Sequence, residues 1–372
     1  MGSHRVRPSL LAVLPLLTFL LCSPHVKAQV FHLSTSEKAT LAKLVSTDSD
    51  ARKLFHRLKN SADHACASEP NPAAVIRTAG LLAQDPAKVA TQECLKDMAK
   101  LEALAIVFAV TNDPIYKKSA ERYLVAWAKT DQPSGRPIDE TNLGPLLFAY
   151  DIFRSSIDPG TRHTIDEWLE TVAKAEIESR DPKTREAVNN WNSHRLKIVA
   201  LIGFVLEDHA LINYAVTGYK QQISENLRAD GSSLDFEQRD AIAYHTYDLV
   251  PLLTLALSAC RHGMDLYGYA APSGSSLPRS IGWLIPYVDG RKVHPEYVNT
   301  TVRFDLQRAA NQEPGHAIGA NYDPRNAVPT LELAAAFDPR ITALALKVRG
   351  SPSKYPSLQL LLNAVVGPCA NR

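Results

Sequence analysis

Asn189-Asn190-Trp191-Asn192-Ser193-His194-Arg195 gathers three amides, an indole, an imidazole and a guanidinium into seven residues. On a helix, Asn190 and His194 are four apart and share a face, with Trp191 and Arg195 on the neighbouring one. So many poor helix formers at a helix start are expected of a site rather than a core. A second window runs from Asp235 to Asp248. If it is one helix, Arg239 and Tyr247 are two turns apart, Tyr244 and Tyr247 are neighbours, and Asp248 is placed to orient His245. Positive charge beside a tyrosine favours the phenolate and brings it toward acid/base work. Both windows have a plainer reading: Asn caps with a core histidine, and an aromatic core stripe with surface charges.

The background to these windows is an ordinary globular chain. Of 372 residues, 45% are hydrophobic and 22% charged, which excludes disorder as the main state. No basic stripe interleaved with aromatics points to nucleic acid. No cofactor motif, HExxH or Cys/His metal spacing occurs, so neither cofactor nor metal is expected. Arg5 and Arg7 precede an apolar run from Leu10 to Cys22, too short to span a bilayer, and Val26-Lys27-Ala28 resembles a cleavage site. Residues 1–28 therefore read as a signal peptide, and residues 29–372 as one domain that is periplasmic or secreted and free of the membrane. Removing the signal leaves 38 basic against 39 acidic residues, so the net charge of +2 becomes −1. Attraction for a polyanion must then be local, from Arg195, Lys197 and Arg239. Of the four remaining cysteines, Cys66 and Cys94 are expected to pair across a Pro-rich loop.

The elements that must hold the windows are helices. Ser36–Leu58, 95–110, 116–130, 143–156, 164–179, 187–206, 208–227, 236–262 (kinked at Pro251), 280–288, 331–337, 341–348 and 358–366 carry helical periodicity between Pro, Gly and Asp punctuation. No alternating strand, Gly-rich nucleotide motif or repeat appears. The expectation is an all-α toroid or bundle of antiparallel hairpins. The irregular stretch from about 268 to 326 reads as a lid or a surface excursion.

Asn190 with a nearby His, followed by Tyr244-His245-Thr246-Tyr247-Asp248-Leu249 and Pro251-Leu252, resembles the alginate lyase family. It is most similar to the helical-toroid members of polysaccharide lyase family five and their relatives. Ala126-Trp127-Ala128 and Ala149-Tyr150-Asp151 add to the likeness, which covers roughly residues 90 to 310. The resemblance implies a single (α/α) toroid, or incomplete barrel, of a monomeric exported enzyme that splits an anionic uronate polysaccharide by β-elimination. Alginate or polymannuronate leads as the substrate.

It also implies roles. Asn190 binds the substrate carboxylate, His194 neutralises it or acts as base, and Tyr247 is the acid, and the base too when both groups lie on the same side. Arg239 stabilises the carboxylate or lowers the Tyr247 pKa. Trp191, Asn192, Arg195, Tyr244 and Tyr297 would contact substrate. The pattern departs from the family in two ways. Three residues separate Asn190 from His194, so Asn192 is an alternative amide. Arg239 lies eight rather than seven before Tyr247, a rotation of about 100° on an ideal helix. A related branch would pair His245 with Tyr297 instead. From other classes, a helical glycoside hydrolase would use Asp139, Glu140 or Asp240, and a non-catalytic glycan binder would keep Trp191 and Tyr244 for stacking.

Overall fold

Three Asp-Pro steps, at 85–86, 113–114 and 158–159, each open a helix in the computed structural model, which describes residues 33–369. In each, the Asp carboxylate accepts a backbone N–H of the first turn and Pro sits where no N–H is needed. The expected signal peptide lies outside the described residues.

The helices are α1 Thr35–Thr47, α2 Ser49–Ala67, α3 Pro86–Cys94, α4 Lys96–Thr111, α5 Pro114–Thr130, α6 Pro137–Glu140, α7 Gly144–Phe153, α8 Pro159–Glu178 and α9 Asn190–Leu206. They continue as α10 His209–Glu225, α11 Leu234–Arg239, α12 Ile242–Arg261, α13 Leu277–Val288, α14 Arg303–Ala310, α15 Val328–Ala334, α16 Ile341–Arg349 and α17 Leu358–Val366. The described residues hold isolated β-bridges and no strand.

α4, α7, α9, α12 and α15 touch in succession and form an inner ring. α2, α5, α8, α10, α13 and α16 pack outside it, each against an inner helix. α17 touches α15 and α1, and α1 touches α4, which links the two ends of the run. The chain is thus an all-α (α/α) toroid. The inner helices are apolar nearly all round, as burial on every side requires. α9 is the extreme case, buried from Asn192 through Val205 and flanked by α6, α7, α8, α10 and α12. At Gly203 a Cβ would come within 2.9 Å of Leu211 Cβ, so only glycine allows the α9–α10 hairpin to close this tightly.

Two expected helices are each split. Asp48 ends α1 in extended backbone and its carboxylate caps α2 through Asp50 and Ala51 N–H, 2.8 and 3.1 Å. Asp240 is left-handed at φ 48° and separates α11 from α12. Ala241 has no capping side chain, and Glu296 does the capping from a distant loop, accepting Ile242 and Ala243 N–H at 2.8 and 3.0 Å. The cysteine expectation is also corrected. Cys66 and Cys94 are free, whereas Cys260 at the end of α12 is bonded to Cys369.

Candidate active site

The N-terminal half of α9 and the first turns of α12 form the floor of a cleft of about 1000 Å³. Residues from 78–81, from 138–142 and from the 297–316 stretch complete its lining. Five Lys or Arg side chains line it (Lys88, Arg185, Lys197, Arg239, Arg308) against a single carboxylate, Glu186. That balance favours an anionic ligand.

Asn189 is the N-cap of α9, its carboxamide oxygen accepting Trp191 N–H at 3.0 Å, so one of the three amides is the expected cap. Asn190, Trp191, His194 and Lys197 then face the cleft. His194 is buried, and its Nδ1 sits 2.7 Å from Thr141 Oγ1 while Nε2 has no partner among the described residues. Burial, with the Lys197 charge adding to it, holds His194 well below the usual imidazole range, so the ring is neutral at neutral pH. Lys197 donates to the Thr141 carbonyl at 3.0 Å, and burial pushes its ammonium down to about 8. The guanidinium of Arg136 lies over the Trp191 ring at 5.7 Å.

The ring of Tyr247, on α12, is centred 4.6 Å from that of His194. Tyr247 is 38% exposed, unlike the fully buried aromatics of the core, because it opens onto the cleft. The expected lowering of its pKa does not follow: burial raises the phenol above its ordinary value and outweighs the pull of Arg308 and Arg239. The hydroxyl therefore keeps its proton and is a donor. Arg239 stacks on Tyr244 at 3.7 Å and pairs with Asp305, and Arg308 donates to the Tyr244 hydroxyl at 3.0 Å. Tyr297, left-handed at φ 65°, lies 6.3 Å from Tyr244 and stacks on His316 at 5.5 Å. The left-handed break at Asp240 puts Arg239 on a separate helix from Tyr247, so its eight-residue spacing does not set their relation.

Seven of the ten expected site residues thus meet in one cleft: Asn190, Trp191, His194, Arg239, Tyr244, Tyr247 and Tyr297. Three do not. Asn192 points the other way and donates to Gln222 at 2.8 Å. Arg195 is buried against α8, donating to the Glu176 carbonyl at 2.8 Å with the Glu176 carboxylate 3.5 Å away. His245 is fully buried, with Nδ1 on Ser233 Oγ at 2.9 Å and the ring against Trp283. Asp248 does not orient it; that carboxylate bonds to Ser193 and Asn226. In each case helical spacing identified neighbours but not which face meets the core.

The hydrolase candidates are engaged elsewhere. Asp139 accepts the Thr78 and Ala79 N–H, Glu140 the Ser134 and Gly135 N–H, and Asp240 the Asn299 N–H. Among the described residues no group of three or more His, Cys, Asp or Glu is placed to hold a metal. Thr141, Arg308 and His316 were not anticipated as site residues. Only the irregularity of the 268–326 stretch hinted at the last two.

A family model described as alginate lyase matches residues 41–294. A polysaccharide lyase of Stenotrophomonas maltophilia is 27% identical over 231 residues, 56% of this chain and 69% of its own length. An alginate lyase from Bacteroides ovatus superposes with a TM-score of 0.70 at 15% identity, covering 91% of this chain and 99% of the other. Alginate lyase A1-III from Sphingomonas species A1 gives 0.59 at 19% identity over 86% and 97%. At those identities the solved structures establish the shared fold. The family match reaches across more than half of the chain, including both chemical windows, so the chain belongs to the alginate lyase family and is a polysaccharide lyase.

Proposed function

We propose that this lyase is exported, that it acts on a uronate polysaccharide with alginate and its polymannuronate blocks foremost, and that it cleaves by β-elimination to leave 4,5-unsaturated uronate ends. The observation that carries the reading is the pair His194 and Tyr247, one proton acceptor and one proton donor, in a cleft rich in cations. Alginate lyase A1-III binds a tetrasaccharide in a variant complex, in line with a saccharide in such a cleft.

Elimination first needs the C5 proton to become acidic, which requires the neighbouring carboxylate to be neutralised. The Asn190 amide and the Lys197 and Arg239 charges serve that step, and such donors gain most as charge spreads into the enolate. In the tautomer with Nδ1–H donating to Thr141, Nε2 of His194 carries a free lone pair and takes the C5 proton. The C5 electron pair closes the C4–C5 double bond as the C4–O4 bond breaks. Tyr247 gives its phenolic proton to O4, and exchange with solvent returns both groups to their starting states. Tyr297 is less suited as the acid, because its ring stacks on His316 whereas that of Tyr247 lies against His194. A hydrolase reading loses its two carboxylates, since Glu186 alone lines the cleft.

Incubation with alginate, polymannuronate, polyguluronate and glucuronan, followed by ultraviolet absorbance of the unsaturated product, tests the chemistry. Unsaturated ends from at least one polymer are expected. New reducing ends without absorbance would make it a hydrolase, and binding without cleavage a glycan-binding module. Export is supported by the N-terminal signal-like run and by the Cys260–Cys369 bond, which persists in oxidising compartments. N-terminal sequencing of protein recovered outside the cytoplasm is expected to begin near Gln29. Unprocessed protein confined to the cytoplasm would contradict it.

A further inference from the structure

Behind the floor of the cleft lies a buried polar network that the chemistry above leaves unused. Asp235, in the first turn of α11, is fully buried and accepts the side-chain N–H of Asn190. Asn226, at the end of α10, donates one carboxamide nitrogen to both Asp235 (3.0 Å) and Asp248 (3.1 Å). Ser193 donates to Asp248 at 2.6 Å, and Gln222 to Ser193 at 2.9 Å. His245 is not part of it; its Nδ1 lies 2.9 Å from the hydroxyl of Ser233, the N-cap of α11. The tight turn 226–235 brings Asn226 and Asp235 together, with Leu234 N–H on the Asn226 carbonyl at 2.8 Å.

Resting on the reading that Asn190 binds the substrate carboxylate, we propose that Asp235 is a positioning residue that fixes which end of the Asn190 carboxamide is presented to the ligand. The two ends of a carboxamide have nearly the same shape, so packing alone does not choose between them. A carboxylate accepts only, so it selects the nitrogen. The flipped amide would set its carbonyl oxygen against the Asp235 oxygen. One N–H is held by Asp235, and the other, on the same nitrogen, stays available as the donor an anionic substrate needs. Among the described residues the Asn190 carboxamide bonds to no other side chain. Of the two acids, Asp235 is the one better suited to ionise. Burial raises both and hydrogen bonds lower both, but the Arg239 charge also favours ionised Asp235, whereas Asp248 is pushed further up by Asp235 itself.

The test is a double-mutant cycle of Asp235→Asn and Asn190→Ala, with kcat and KM measured on the polymer the wild type cleaves fastest. Asn at 235 keeps the shape but accepts either end of the amide. The expected result is a kcat lowered by about 10- to 100-fold with KM changed less than about threefold. The double variant should be no slower than Asn190→Ala within about twofold, because the first effect acts only through the second residue. Wild-type kcat in Asp235→Asn, or losses that multiply in the double variant, would overturn the inference while leaving the lyase reading intact. Full activity in Asn190→Ala would overturn it as well. A wild type inactive on every uronan would instead remove the reading on which it rests. If Asp235→Asn does not fold, Asp235→Ser, whose hydroxyl can likewise donate or accept, takes its place in the same cycle with the same expectations.

Discussion

On the floor of the cleft Tyr247 holds its proton while His194, 4.6 Å away between ring centres, is kept neutral by burial. For the proposed elimination, acid and base are thus in their working forms at neutral pH without further tuning. Tyr247→Phe removes the proton donor and nothing else. A loss of at least about 100-fold in kcat is expected with an unchanged melting temperature, checked by product absorbance and thermal unfolding. His245 belongs to a different ledger. Its neutral ring accepts at Nδ1 from Ser233 and faces the Ser280 carbonyl with Nε2, so both nitrogens are used without a proton to spare. Burial lowers its pKa from the ordinary 6.5 to about 4. The unfolded chain therefore binds more protons between those values, and stability falls as pH drops from about 6.5 toward 4. His245→Asn should flatten that slope in denaturant unfolding measured across the window, and an unchanged slope would assign the acid sensitivity elsewhere. At this scale the sequence showed which residue types were chemically dense. It did not show that His245 and Arg195 turn into the core, because neighbours on a helix surface carry no label for the face that is covered.

Among the elements, the break between α11 and α12 matters most to the site. Read locally, residues 236–262 carry the pattern of one helix, kinked only at Pro251. What stops it is a carboxylate more than fifty residues away: Glu296 caps α12, and the next residue, Tyr297, donates its N–H to the Asp240 carbonyl at 2.7 Å. Such a tertiary cap has no local signal, whereas the Asp-Pro starts of α3, α5 and α8 do. Glu296→Ala leaves two N–H groups at the start of α12 without acceptors, a cost of about 1–3 kcal/mol each in a buried setting. A lower midpoint in denaturant unfolding is expected, together with a lower kcat, because the cap also fixes the segment carrying Tyr297. Glu296→Gln, which keeps one acceptor, should be milder on both counts.

For the molecule as a whole, near-neutral charge did not foretell a cation-rich cleft; the cations are gathered at one place while the total balances. The helical ring was legible because apolar periodicity and stop signals repeat along the chain. Its closure was less so, since the links from α15 through α17 and α1 to α4 depend on contacts between the two ends of the described chain. The Cys260–Cys369 bond fastens that region across 109 residues of sequence. Cys369→Ser should lose on the order of 4–5 kcal/mol by the loop-entropy argument, seen as a lower denaturation midpoint, and reduction of the wild type should reproduce it. The measurement that bears most directly on the whole account is the ultraviolet absorbance of polymannuronate incubated with wild type and with Tyr247→Phe, side by side at neutral pH. A steady rise for the wild type and a nearly flat trace for a folded Tyr247→Phe are predicted. Equal rises in both would contradict the assignment of Tyr247 as the proton donor, and the absence of a rise in the wild type on this and every other uronan would contradict elimination itself.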